Sequence, residues 1–137
     1  MTGWSQGGFL SFLYAIEHAD RVAAIISVSG RIPLDPEALP DNFCDIQNVH
    51  IWAFPRDVDD IVSVQTSIES ITSIEERCQP QILPRLTIFK GKDHVIHHSV
   101  FNLTAMRGGS LGYTTDLQYD VYEQSVFDWL FSHSNSK

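Results

Sequence analysis

Positive charge is scarce in this chain. Nine lysines and arginines stand against 17 aspartates and glutamates, a formal net charge of −8 over 137 residues. No Lys/Arg cluster interrupts that field, which argues against nucleic acids and anionic membrane surfaces as partners. Long apolar runs are missing as well: none approaches the ~20 residues that a membrane helix requires. The first residues lack a basic stretch followed by an apolar one, so the expectation is a soluble, unexported chain, cytoplasmic by default. Cysteine is nearly absent. Cys44 and Cys78 lie far apart without Cys-x-x-Cys or Cys/His spacing, which argues against a zinc site or redox motif and leaves two buried or half-buried thiols as the expectation. There is no internal repeat, no low-complexity tract and no cofactor motif. With 43% hydrophobic and 19% charged residues, one globular domain around one core is expected.

What the chain does have is Thr2-Gly3-Trp4-Ser5-Gln6-Gly7-Gly8, a Gly-x-Ser-x-Gly directly before a helix-patterned run. In a nucleophile elbow of this pattern the serine sits on a tight, strained strand-to-helix turn, and side chains at Gly3 and Gly7 are expected to crowd it. Alone the pentapeptide is weak, because an N-capping serine between glycines looks the same.

From Gln6 to about Ala19 the apolar residues Phe9, Leu10, Phe12, Leu13 and Ile16 fall at helical spacing. The run Val22 to Val28, closed by Ser29-Gly30, suits a strand buried on both faces. Residues 31–48 carry Pro33, Pro36 and Pro40 without periodicity and read as a loop. Val49 to Phe54 reads as the next strand, ending in the acidic loop Pro55 to Asp60. A helix pattern follows through Val64, Ile68, Ile71 and Cys78. Arg85 to Lys90 reads as a third strand with Gly91-Lys92-Asp93-His94 in its loop. Residues 95–116 form a longer connection with Gly108, Gly109 and Gly112, a helix is expected from about Leu117 to Phe131, and the tail from Ser132 is polar. This order predicts an α/β fold, helices covering a mainly parallel sheet.

Ligand sites in such sheets lie beyond the carboxyl ends of the strands. Ser5, the acidic group Asp57, Asp59 and Asp60, and His94 all follow expected strand ends. A serine hydroxyl needs a neutral imidazole to take its proton, and the imidazole needs a carboxylate to fix its tautomer. Chain order would then be serine, aspartate, histidine. From the residues alone, His97 and His98 compete with His94, and Asp57 and Asp60 with Asp59. His18 reads as a helix-end partner, and His50 and His133 have no assigned role. Trp4 reads as wall or packing, Asp93 as facing water, and Asn102-Leu103-Thr104 is a glycosylation sequon by pattern only.

Taken together, Gly3-Trp4-Ser5-Gln6-Gly7-Gly8, His18-Ala19-Asp20-Arg21-Val22-Ala23-Ala24-Ile25, Ser29-Gly30, and Val49 to Phe54 through Asp59-Asp60-Ile61-Val62 resemble the C-terminal half of an α/β-hydrolase. Within that superfamily the chain is most similar to the phospholipase/carboxylesterase and predicted-peptidase serine esterases. The resemblance implies a three-layer α/β/α arrangement in which residues 1–137 form a single, partial domain that begins at the nucleophile elbow, with the N-terminal half of the fold absent. It implies a catalytic triad of Ser5, Asp59 and His94, with the backbone N–H of Gln6 as half of the oxyanion hole. The family's pattern is not matched everywhere: Pro55-Arg56 stand where His-Gly is common, Ser63 where Pro is common, and Asp93 where Gly precedes the histidine.

The implied activity is hydrolysis of carboxylic esters, and of amides by extension, on a small ester or acyl substrate, through an acyl-enzyme and without a cofactor or metal. The elbow strand is reduced to Met1 and Thr2, so the strand Val22 to Val28 is expected to lose its neighbour. An unpaired edge invites a homo-oligomeric contact or a covering partner. A catalytically inactive fragment or paralogue acting as a binding module is therefore the alternative. A metal-dependent hydrolase built on the Asp57/Asp59/Asp60 and His94/His97/His98 groups is a distant third, since these lack ligand spacing on a shared helix.

Overall fold

A computed structural model describes residues 1–101, 115–116, 118–122 and 124–134. The chain opens with a short strand β1 (Thr2–Trp4) and passes at Ser5 into α1 (Gln6–Glu17). A 3-10 turn, Ala19–Arg21, leads to β2 (Ala24–Val28); after the proline-containing loop, a second 3-10 segment, Phe43–Asn48, precedes β3 (His50–Phe54). Then come β4 (Arg56–Val58), α2 (Val64–Cys78), β5 (Arg85–Leu86), β6 (Phe89–Lys92), α3 (His97–Val100) and α4 (Val126–Phe131).

The main sheet has the order β1-β2-β3-β5, every neighbouring pair parallel. β4 and β6 form a second parallel pair, which continues the β3–β5 ladder through Thr87 N–H to Ala53 O and Phe89 N–H to Pro55 O. Period-two alternation sorts the strands' side chains into two cores. Ile25, Ile51 and Ala53 point to one face and pack with Phe12 and Ile16 of α1 and Ile71 and Ile74 of α2. Ala24, Ile26, Val28, Trp52 and Phe54 point to the other, against Val100 of α3 and Val126 and Trp129 of α4. Helices on both faces of a parallel sheet make the expected three-layer α/β/α arrangement. The continuous apolar run in β2 reflects this burial on both faces.

Four expectations require correction. First, β1 is present: Thr2, Gly3 and Trp4 register with Ile26, Ser27 and Val28, and the Met1 carbonyl accepts Ile26 N–H at 2.9 Å. β2 therefore has a parallel neighbour on each side, and β1 lies at one end of the order β1-β2-β3-β5. Second, Cys44 and Cys78 are not thiols but a disulfide; the 3-10 segment carrying Cys44 packs beside the C-terminal end of α2, where Cys78 lies. Third, the expected strand Arg85 to Lys90 is split into β5 and β6 by a shift of partner from β3 to β4. Fourth, the last helix is only Val126–Phe131, capped by the Ser125 hydroxyl accepting Asp128 N–H. Residues 118–122 are not helical, because this stretch is pinned to the outer side of β5: the Asp120 carboxylate accepts Leu86 N–H, Asp120 N–H donates to Leu86 O, and the Tyr122 hydroxyl donates to Val100 O. The sequon at Asn102 and the glycines 108, 109 and 112 lie outside the described residues.

Candidate active site

Each chemistry-bearing residue follows the carboxyl end of a strand. Ser5 follows β1, Asp59 follows β4, and His94 comes two residues after β6. The Ser5 backbone is at φ 54°, ψ −116°, a conformation disfavoured for a residue with a side chain. It is over-determined by its surroundings: Ser5 N–H donates to Val28 O at 2.9 Å, and Ser5 O accepts Phe9 N–H at 3.1 Å.

The turn depends on glycine at two points. A Cβ on Gly3 would lie 2.1 Å from the Gly7 carbonyl carbon and oxygen, and one on Gly8 would lie 3.1 Å from the Gly30 Cα and 2.7 Å from the Ser27 hydroxyl. A Cβ on Gly7 would meet nothing within 4 Å, which corrects the expectation that a side chain there crowds the turn. Gly7 matters as the backbone that Gly3 approaches.

The loops bring three side chains into line. Ser5 Oγ lies 2.9 Å from His94 Nε2, and His94 Nδ1 lies 2.8 Å from Asp59 Oδ2. The histidine and aspartate side chains are 10% and 1% exposed, so water competes little for the pair. The other Asp59 oxygen accepts the N–H groups of Ile61 and Val62 at 2.8 and 2.9 Å, which orients the carboxylate. Such a carboxylate favours the tautomer with the proton on Nδ1, leaving Nε2 free to accept the serine proton. Gln6 is the first residue of α1, where backbone N–H groups have no partner within the helix and the helix dipole favours negative charge.

The alternatives are engaged elsewhere. Asp57 accepts Gly91 N–H and lies 3.6 Å from Lys90 Nζ, and Asp60 is exposed. His97 packs its ring 4.6 Å from that of Trp4, with His98 edge-on to it. Asp93 is exposed and accepts Val95 N–H. Among the described residues no group of three or more His, Cys, Asp or Glu side chains is arranged to hold a metal ion, and no helix is long and apolar enough to cross a membrane.

One feature of the site carries no sequence signal, the His94 main-chain carbonyl. It accepts from the Trp4 indole N–H at 3.2 Å, the Ser29 hydroxyl at 3.1 Å and Ile96 N–H at 3.2 Å. Trp4 was legible only as a neighbour of the serine, and nothing in the pattern of Val28-Ser29-Gly30 signals a contact 65 residues away.

The comparisons with known proteins agree with this architecture. Residues 1–68 match the family model described as alpha/beta hydrolase fold. Among solved structures, a thermostable esterase superposes with a TM-score of 0.60 at 22% identity, covering 97% of this chain and 30% of its own. A ferulic acid esterase superposes with a TM-score of 0.52 at 20% identity, covering 72% of this chain and 46% of its own. The chain thus spans less than half the length of either. No curated protein matches significantly. On the superpositions and on the match over residues 1–68, the chain has the α/β-hydrolase fold.

Proposed function

We propose that this chain carries the nucleophile, base and acid of a serine hydrolase acting on carboxylic esters, with amides as the second substrate class. The observation that supports this most directly is the line of two short hydrogen bonds, Ser5 to His94 at 2.9 Å and His94 to Asp59 at 2.8 Å, at a strained serine on a strand-to-helix turn. Ser5 Oγ attacks the ester carbonyl carbon while its proton passes to His94 Nε2, and Asp59 stabilises the imidazolium. The developing oxyanion is held by Gln6 N–H and the N-terminus of α1. The C–O bond to the alcohol then breaks, and His94 returns the proton to the leaving oxygen. Water, deprotonated by His94, cleaves the acyl-enzyme to release the acid and restore Ser5.

The proposal includes a division of the fold. Residues 1–137 form the C-terminal part of the hydrolase domain, and the second oxyanion donor and the acyl-pocket walls belong to a preceding segment. The test is labelling with a fluorophosphonate probe followed by peptide mapping. Modification at Ser5, lost in Ser5→Ala and in His94→Gln, is expected; no labelling of well-folded protein at any serine counts against it.

A second reading, an inactive association module, draws on a different observation. β1 is the sheet edge, and beside it Met1, Leu10 and Tyr14 are 45%, 63% and 40% exposed. It predicts concentration-dependent dimers by sedimentation together with an unlabelled Ser5.

A further inference from the structure

His94 lies in a loop whose adjoining residues, Asp93 and Val95, are exposed. Two side-chain bonds hold its ring, but a ring is only as well placed as the backbone that carries it. The backbone of this loop is tied by Asp93 N–H to Val58 O at 3.3 Å and by Val95 N–H to Asp93 Oδ1 at 2.9 Å, and at the His94 carbonyl oxygen two side-chain donors, one from β1 and one from the residue after β2, converge with Ile96 N–H. Both donors belong to segments that also hold the nucleophile. Trp4 directly precedes Ser5, and Ser29 directly follows Val28, whose carbonyl accepts Ser5 N–H.

Ser29 is an unexpected residue for its place. Its φ is 46°, a left-handed conformation that glycine adopts more readily. It is 1% exposed, and its N–H donates to Phe54 O. A glycine would relieve the backbone and lose one methylene and the hydroxyl, and that hydroxyl donates to His94 O at 3.1 Å.

We propose that Ser29 and Trp4 are positioning residues that clamp the main-chain carbonyl of His94 and so hold its imidazole in register between Ser5 and Asp59. The inference rests on the hydrolase reading for its kinetic consequence, though not for its geometry. Displacing a catalytic group by about 1 Å can cost on the order of 10²-fold in rate without weakening substrate binding.

Ser29→Gly, Trp4→Phe and the double variant test this on the whole chain. With p-nitrophenyl acetate, kcat is expected to fall about tenfold in each single variant and about 10²-fold in the double, with KM within about twofold of the parent. A purely structural role for Ser29 predicts the opposite for Ser29→Gly, since it relaxes the backbone. The second readout is proton NMR of the His94 Nδ1–H, assigned by its loss in His94→Gln. A low-field resonance in the parent that broadens or disappears in the double variant is expected. An unchanged resonance there, or an unchanged kcat in Ser29→Gly, overturns the clamp. If the parent hydrolyses no ester and Ser5 takes no label, the hydrolase reading falls, and the resonance comparison still decides the clamp.

Discussion

His94 Nδ1 and Asp59 Oδ2 lie 2.8 Å apart across a sequence separation of 35 residues, and the aspartate side chain is 1% exposed. Asparagine at 59 would keep an acceptor for Ile61 and Val62 N–H but present an amide N–H₂ to Nδ1. That forces the imidazole proton onto Nε2, where it can no longer accept from Ser5. Asp59→Asn is expected to lower kcat about 10³–10⁴-fold with little change in thermal stability. Asp60→Asn, at an exposed position, is expected to stay within about twofold. Steady-state kinetics on both variants check the assignment, and equal losses would contradict it.

Gly3 and Gly7 make a second pair of substitutions with opposite outcomes. Gly3→Ala forces a methyl group to within 2.1 Å of the Gly7 backbone, so the elbow must open at a cost of about 1–3 kcal/mol. Gly7→Ala meets open space and replaces a helical glycine, so it is expected to be neutral or to stabilise by up to about 1 kcal/mol. Urea unfolding of the two variants separates them, and fluorophosphonate labelling should survive only in the second.

Acid sensitivity should come in part from a histidine pair at the opposite end of the sheet from Ser5. His50 and His133 stack with ring centroids 3.6 Å apart at 15°, and His133 Nε2 is buried without a hydrogen-bond partner. Burial holds both pKa values below the usual histidine range, and for His133 the neighbouring His50 adds to it. Between the lowered and the ordinary value the unfolded chain binds more protons than the folded one. The pair's contribution is therefore complete above about pH 6.5 and lost as pH falls through the folded values. The fall in Tm from pH 7.5 to 5.5 should be smaller in a His50→Phe/His133→Phe double variant than in the parent. An identical fall would remove the pair from the account.

The Cys44–Cys78 bridge closes a separation of 34 residues. On the chain-entropy estimate, opening it costs about 3–4 kcal/mol. Comparing urea midpoints before and after dithiothreitol, or in Cys44→Ser/Cys78→Ser, measures this. Thiol titration of the unreduced, denatured chain should find no free cysteine. The expectation of two thiols does not carry over.

The parts of the fold that were legible in the sequence are those where local pattern and burial agree. β2 and β3 are apolar on both faces because helices cover both, and α2 shows its apolar stripe at Val64, Ile68 and Ile71 with Ser63 as its cap. Ser5, the acidic group Asp57, Asp59 and Asp60, and His94 could be drawn together because each follows an expected strand end and topology gathers those ends on one edge; the choice of Asp59 and His94 over their neighbours came from the resemblance to the α/β-hydrolases. What stayed hidden was set by distant partners. The disulfide depends on a 3-10 segment meeting the end of α2, and the segment 118–122 is held out of helix by β5 and the Val100 carbonyl. β1 is too short to carry a pattern, and the side-chain donors on His94 O, Trp4 at the end of β1 and Ser29 just after β2, give no local sign of it.

The site also has a kinetic meaning. The serine–histidine contact spans 89 residues and the histidine–aspartate contact 35, so the second needs the β4–β6 pair and the first needs β1 docked in the order β1-β2-β3-β5 as well. Contacts of such sequence separation are closed late, because their loop entropy is lost before any compensating interaction is made. During refolding, reactivity at Ser5 should rise after helical circular dichroism has recovered. The serine would then serve as a clock for the last step of folding.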